Sequence, residues 1–161
     1  MACDQSNNDW ELSEGEHDRG DVRALLTHHF TEMRADSPPE ACHVLPPDRM
    51  AEPGLRLFAL RDGDGTLLGI GALKVIAPGH GEVKSMRTSP TALGRGVGRQ
   101  MLERLIDAAR AMGMSRLSLE TGNSTLFEPA NWLYLAHGFE RCPPFGDYQP
   151  TAFTHFYTKA L

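Results

Sequence analysis

Residues 91–102 read TALGRGVGRQML: three glycines at alternate positions, two arginines, and an apolar helical pattern directly behind them. The preceding EVKSMRT (Glu82 to Thr88) reads as a strand. A strand that passes through bare glycine backbone into an amphipathic helix commits the chain to a sheet with helices packed on it. Glycine gives such a loop backbone angles that side chains resist and lets a ligand approach the main chain closely. A helix start carries unpartnered N–H groups and the positive end of the helix dipole. Two arginines beside it suit a phosphate-bearing ligand.

The rest of the chain supplies the other layers. Asp21 is placed to cap a helix with Val22, Leu25, Leu26, Phe30 and Met33 on one face. SPPE (Ser37 to Glu40) stops it, because proline disfavours helical geometry in the residue before it. A proline-rich irregular stretch runs to Gly54. LRLFALRD and TLLGIGALKVI then flank Gly63-Asp64-Gly65 as a β-hairpin, and Gly79 and Gly81 turn the chain into EVKSMRT. Val97, Met101, Leu105, Ala108, Ala109 and Met112 predict a helix ending near Gly113. SRLSLET is a strand, PANWLYLAHGF a helix closed by Gly138 with Trp132 and Phe139 in the core, and AFTHFYTKAL a last strand. Trp10 to Glu16 is a candidate first strand. The order predicts an α+β (α/β) mixed sheet with helices on both faces.

At 161 residues the chain fits one domain spanning 1–161, with 1–20 an acidic leading segment. A formal charge of −5 argues against general nucleic-acid binding. No apolar run reaches membrane-spanning length, and MACDQSNNDWELSEGEHDRGD lacks the apolar core of a signal peptide, so a cytoplasmic protein is expected. Cys3, Cys42 and Cys142 show no metal-ligand spacing and read as reduced thiols. No metal site and no G-x-S-x-G elbow is expected.

The known phosphate cradles can be tested on the glycine segment. A P-loop needs Lys-Ser/Thr after its last glycine, and Gly98 is followed by Arg99-Gln100. The dinucleotide fingerprint accepts Gly94 and Gly96 but meets Arg99 at its third glycine. What remains, Leu93-Gly94-Arg95-Gly96-Val97-Gly98, resembles the Arg/Gln-x-x-Gly-x-Gly/Ala signature of the GNAT N-acetyltransferase family, with leucine at the first position. Pro129 to Phe139 resembles that family's A-x-x-L-Y-x-x-x-G-F helix. SPPExxH (Ser37 to His43), KSMRT (Lys84 to Thr88), LETG (Leu119 to Gly122) and PFxxY (Pro144 to Tyr148) resemble a subgroup of bacterial acetyltransferases.

The resemblance implies a mostly antiparallel six- to seven-stranded GNAT sheet and acetyl-CoA as cosubstrate. It implies that Met86, Arg87 and Thr88 bind the pantetheine arm through main-chain groups, as an added strand would. Leu93, Gly94, Arg95, Gly96, Val97, Gly98 and Arg99 would hold the pyrophosphate. Phe127 stands where many members of the family have a CoA-binding asparagine, and Asn131 would take over that role. Tyr134 matches the tyrosine that protonates the departing sulfur, and Glu82 sits where some relatives hold a general base; strand alternation puts it on the face of Met86 and Thr88. Glu120 is the rival base, and His43 and Tyr148 are candidates for the acceptor pocket. The expected activity is acetyl transfer to a primary amine, of a small molecule by preference, in a ternary complex. The alternative is a weakly active acetyl-CoA sensor, motivated by Leu93 and Phe127. Homodimers are common in the family, and no residue here argues for one.

Overall fold

The computed structural model describes residues 9–161. The first eight residues, Cys3 included, lie outside them. Seven strands form one sheet in the order β1-β2-β3-β4-β5-β7-β6: β1 Glu11–Glu14, β2 Leu55–Arg61, β3 Leu67–Ala77, β4 His80–Thr88, β5 Arg116–Gly122, β6 Glu140–Arg141 and β7 Thr154–Ala160. Only β4 and β5 run parallel; every other pair is antiparallel. Three helices, α1 Gly20–Asp36, α2 Val97–Ala111 and α3 Glu128–Ala136, pack on this sheet. Among the described residues no helix is long and apolar enough to cross a membrane.

The sheet has an apolar layer on each face. On one, Val22, Leu25 and Leu26 of α1 bury against Leu57, Ile70 and Ala72. On the other, Met101, Leu102 and Leu105 of α2 and Tyr134 of α3 bury against Leu68, Leu73 and Leu117. Gly71 makes the second layer tight: a Cβ there would meet Leu105 Cδ1 at 2.9 Å, so a glycine inside β3 lets α2 settle onto the sheet. Gly113 and Gly138 follow α2 and α3 with positive φ, the conformation that ends a helix most cheaply with glycine.

Three expectations need correction. The first strand is only Glu11–Glu14, with Trp10 buried beside it. Trp132 is 72% exposed: α3 buries Tyr134, and the indole two residues earlier falls on the solvent side. On α1 the residue that completes the buried stripe is His29, four positions after Leu25, while Phe30 and Met33 are half-buried.

Arg61 ties the sheet edge together. Its guanidinium donates to Asp21 Oδ2 at 2.6 Å, Glu16 Oε2 at 2.7 Å and the Gly65 carbonyl at 2.9 Å, and its side chain is 9% exposed. These hydrogen bonds hold the Asp21 carboxyl below the usual carboxylate range. Because that shift is downward, its stabilisation is complete above the ordinary carboxylate range and is lost as pH falls through the lowered value. Asp21 is 42% exposed, which limits its share. Arg61→Met is therefore expected to destabilise by about 1–2 kcal/mol, read as a fall of roughly 5 °C in Tm at neutral pH that shrinks toward pH 3.

Candidate active site

β4 and β5 pair only at His80↔Arg116, Gly81↔Leu117 and Glu82↔Ser118, although β4 continues to Thr88 and β5 to Gly122. Beyond Glu82 the two strands splay, and the β5-facing edge of β4 has no strand partner. A cavity of about 660 Å³ fills this fork, and its walls come from both faces of the sheet.

A bulge decides which side chains enter from which face. Ser85 has φ 55, left-handed for a non-glycine residue, and the β3–β4 register slips between Ala72↔Lys84 and Ile70↔Arg87. Strand alternation therefore fails after Lys84. Glu82 shares its face with Lys84 and Arg87, toward α1. Met86 packs with the α2-side layer, and the Thr88 hydroxyl lies 3.9 Å from where a Gly98 Cβ would stand. The expectation that Glu82, Met86 and Thr88 share a face is overturned by this one extra residue.

On the α2 side the fork meets the glycine segment. Gly94 (φ 76) and Gly96 (φ 81) take left-handed angles with nothing within 4 Å of a Cβ built on either, which leaves an open, bare-backbone surface. The first helical hydrogen bond is Gln100 N–H to the Gly96 carbonyl at 3.1 Å. The N–H groups of Val97, Gly98 and Arg99 therefore lack partners among the described residues. Gly98 has ordinary helical φ and only van der Waals neighbours. These free donors, together with the unpaired β4 edge, fit the diphosphate and amide chain of coenzyme A. Arg95 lies over the Trp10 ring at 5.5 Å and is not part of the cavity wall, whereas Arg99 lines the cavity while donating to Glu103 at 3.0 Å. Leu93 is 69% exposed at its rim.

Asn131 does not reach the cavity wall. Its amide donates to the Gly122 carbonyl at 3.1 Å, and its Oδ1 is buried without a partner. Phe127 does line the cavity, packed so closely on Gly122 that any Cβ there would overlap its ring. Tyr134 also lines the cavity. Its ring packs against Phe139 and Tyr157 with centroids 5.9 and 6.1 Å away, and its hydroxyl has no partner among the described residues. Burial, and then the Tyr157 phenol, push its pKa up to about 12.

The α1 side is polar. Glu82, 4% exposed, receives hydrogen bonds on the same oxygen, Oε2, from Tyr148 Oη at 2.5 Å and Lys84 Nζ at 3.3 Å. Lys84 also donates to Tyr148 Oη at 2.9 Å. Burial, then the Glu82 charge, raises the Tyr148 phenol well above its ordinary value. Glu120, one turn of the pleat beyond Ser118 on β5, has Oε2 only 2.5 Å from His43 Nδ1. The two atoms are buried against each other as a close pair. Burial raises the Glu120 carboxyl above its usual range against the opposing pull of His43.

The fork thus gathers Glu82, Glu120, His43, Tyr148 and Tyr134 in one cavity. Sequence reasoning missed the side chains of Lys84, Arg87 and Glu32, which line the same space, and ranked His29, which also lines it, below the others. For His29 a signal existed, since the helical stripe 22-25-26 continues to 29.

The comparisons agree with this geometry. The model of the Acetyltransferase (GNAT) family matches residues 20–139. The uncharacterized N-acetyltransferase YsnE of Bacillus subtilis (strain 168) is 43% identical over 140 residues, covering 87% of this chain and 92% of that protein. An IAA acetyltransferase of Azospirillum brasilense is 42% identical over 125 residues, covering 77% of this chain and 80% of its own. The crystal structure of a Klebsiella pneumoniae subsp. pneumoniae MGH 78578 chain assigned as an acyl-CoA N-acyltransferase superposes with a TM-score of 0.74 at 26% identity, over 94% of this chain and 97% of that one. The chain belongs to the acetyltransferase (GNAT) family and is an acyltransferase with acetyl-CoA as its cosubstrate.

Proposed function

We propose that the chain acetylates the primary amine of a small molecule, by direct attack on the thioester in a ternary complex. The observation that carries this reading is the fork itself, with a phenol on its α2 side and two carboxylates on its α1 side. Acetyl-CoA supplies an activated carbonyl and a thiolate leaving group. The chain's own residues then divide the proton work. Glu120, paired with His43 and with its carboxyl raised by burial, takes the ammonium proton directly or through His43. Glu82 is occupied by Lys84 and Tyr148 and holds that wall in place. An N–H of the bulged Ser85–Met86 segment polarises the thioester carbonyl. Tyr134 gives its proton to the departing sulfur.

A small acceptor fits the enclosure of the α1 side by α1, the loop carrying His43 and the loop carrying Tyr148. The formal charge of −5 gives no overall attraction for an acidic protein. The test is CoA release from acetyl-CoA with a panel of small primary amines, beside peptides bearing lysine. No release above hydrolysis with any acceptor would refute the enzyme reading and leave the sensor reading.

Tyr134→Phe removes only the hydroxyl. Because a thiolate departs readily, kcat is expected to fall by about a hundredfold, the low end for a lost general acid, with the KM for acetyl-CoA little changed. A phenol held near pKa 12 stays protonated, so wild-type kcat should show no alkaline loss from this group below pH 10. Unchanged kcat in the variant would remove Tyr134 from the role.

A further inference from the structure

The wall of the cavity itself carries a primary amine. The chain has three lysines, Lys74, Lys84 and Lys159, and of these only Lys84 lines the cavity. Lys74 pairs with Glu52 at 4.0 Å and Lys159 lies beside Gly138, both off that wall. Two features give the Lys84 amine a chemistry of its own. It directly precedes Ser85, the bulge residue whose segment is to polarise the thioester carbonyl. Lys84 and Met86 are two residues apart, a span of at most about 7 Å, so the carbonyl held there is within reach of a four-carbon stem. Its ammonium also stands beside a proton acceptor: Glu82 Oε2 lies 3.3 Å from Nζ, with Tyr148 Oη at 2.9 Å on the same nitrogen. Transfer to a free acceptor leaves Glu82 with nothing to do but hold its wall. Against Lys84 the same carboxylate is placed as a base.

We propose that Lys84 is a self-acetylation site: with acetyl-CoA bound and no acceptor in place, the protein transfers the acetyl group to its own Nζ. This goes beyond the small-molecule reaction, though it rests on the same reading of the cavity as the acetyl-transfer site. Glu82 Oε2 takes one proton from the ammonium, and the freed amine attacks the thioester carbonyl. An N–C bond forms and the C–S bond breaks. Of the two protons the nitrogen gives up, one leaves through Glu82 to solvent. The other replaces the proton that Tyr134 gives to the departing sulfur. The product amide is uncharged, so Glu82, 4% exposed, loses its cationic partner and Tyr148 loses the ammonium that donates to it. Self-acetylation therefore disarms the acceptor half of the cavity and spares the helix start that faces the diphosphate.

The test incubates wild-type protein with acetyl-CoA and no acceptor, and follows acetylation of each lysine by peptide mass spectrometry. Lys84 should label at least about a hundredfold faster than Lys74 or Lys159, a small part of what proximity in a bound complex supplies. Its rate should not depend on protein concentration, as for a reaction within one molecule. Excess CoA, which fills the cofactor site, should suppress label at Lys84 and leave the slow background at the other two. Preincubation with acetyl-CoA should also raise the acceptor KM of wild type by about tenfold, the worth of a hydrogen bond to a charged group. Lys84→Arg, which keeps a cation and offers no amine, should hold its own starting KM through the same treatment. The proposal is overturned if Lys84 labels no faster than Lys74 and Lys159, or if excess CoA fails to protect it. Acceptor turnover with Lys84 unlabelled would sink self-acetylation and keep the proposed function. Lys84 labelled with no small amine acetylated would keep self-acetylation and sink the small-molecule reading.

Discussion

Acetyl-CoA binding, followed by calorimetry, is expected to weaken at least about a hundredfold in Gly96→Glu, while the variant stays folded. Two effects add. Gly96 sits at φ 81, where a side chain costs about 1–2 kcal/mol, so the loop either strains or abandons the geometry that bares the N–H groups of Val97, Gly98 and Arg99. The new carboxylate also stands at the helix start where a phosphate group is to be bound, and like charges there repel. A further 1.4 kcal/mol from that repulsion is another tenfold. The fold is spared because nothing lies within 4 Å of a Cβ at this position. The strain alone lowers Tm by roughly 5 °C. Unchanged affinity in a folded variant would mean that the pyrophosphate lies elsewhere. Wild-type protein that binds no acetyl-CoA would instead mark Leu93, exposed where the family signature carries arginine or glutamine, as the decisive departure.

Much of the architecture was legible because its signals are local. The α2 stripe, the hairpin at Gly63-Asp64-Gly65 and the glycines closing α2 and α3 each depend on residues a few positions apart. The site was legible residue by residue, through motifs, but not in its arrangement. A single left-handed residue, Ser85, inverts the facing of everything after Lys84, and serine carries no mark of that conformation. Lys84 reads as a surface lysine in sequence, since lysine is rarely buried. It is 10% exposed because Glu82 and Tyr148, 2 and 64 positions away, meet its ammonium. Trp132 was misplaced for the converse reason: hydrophobicity alone says little about which side of a short helix faces water. Contacts between distant segments decide these cases, and no window of sequence contains them.

The choice between the two carboxylates of the fork turns on such contacts, and it yields the other large effect. Glu120→Gln is expected to lower kcat/KM by about a hundredfold to a thousandfold, as for a lost general base. Wild-type kcat/KM should fall on the acid side as pH drops through the raised pKa of Glu120, because the protonated carboxyl cannot accept the ammonium proton. In the variant that limb should vanish, leaving a low and flatter profile. Stability argues in the same direction. An upward shift means that folding disfavours the ionised carboxylate, so above the ordinary carboxylate range Glu120 costs stability, and neutral glutamine removes that cost. Tm should therefore hold or rise while activity collapses, which separates lost chemistry from lost structure. Glu82→Gln should behave differently. Its Oε2 anchors the Tyr148 hydroxyl and the Lys84 ammonium, so its loss should loosen that wall and raise the acceptor KM while the acid limb persists. If Glu82→Gln erases the limb and Glu120→Gln leaves it in place, the roles are reversed: Glu82 accepts the proton despite its two donors, and the His43–Glu120 contact only shapes the pocket.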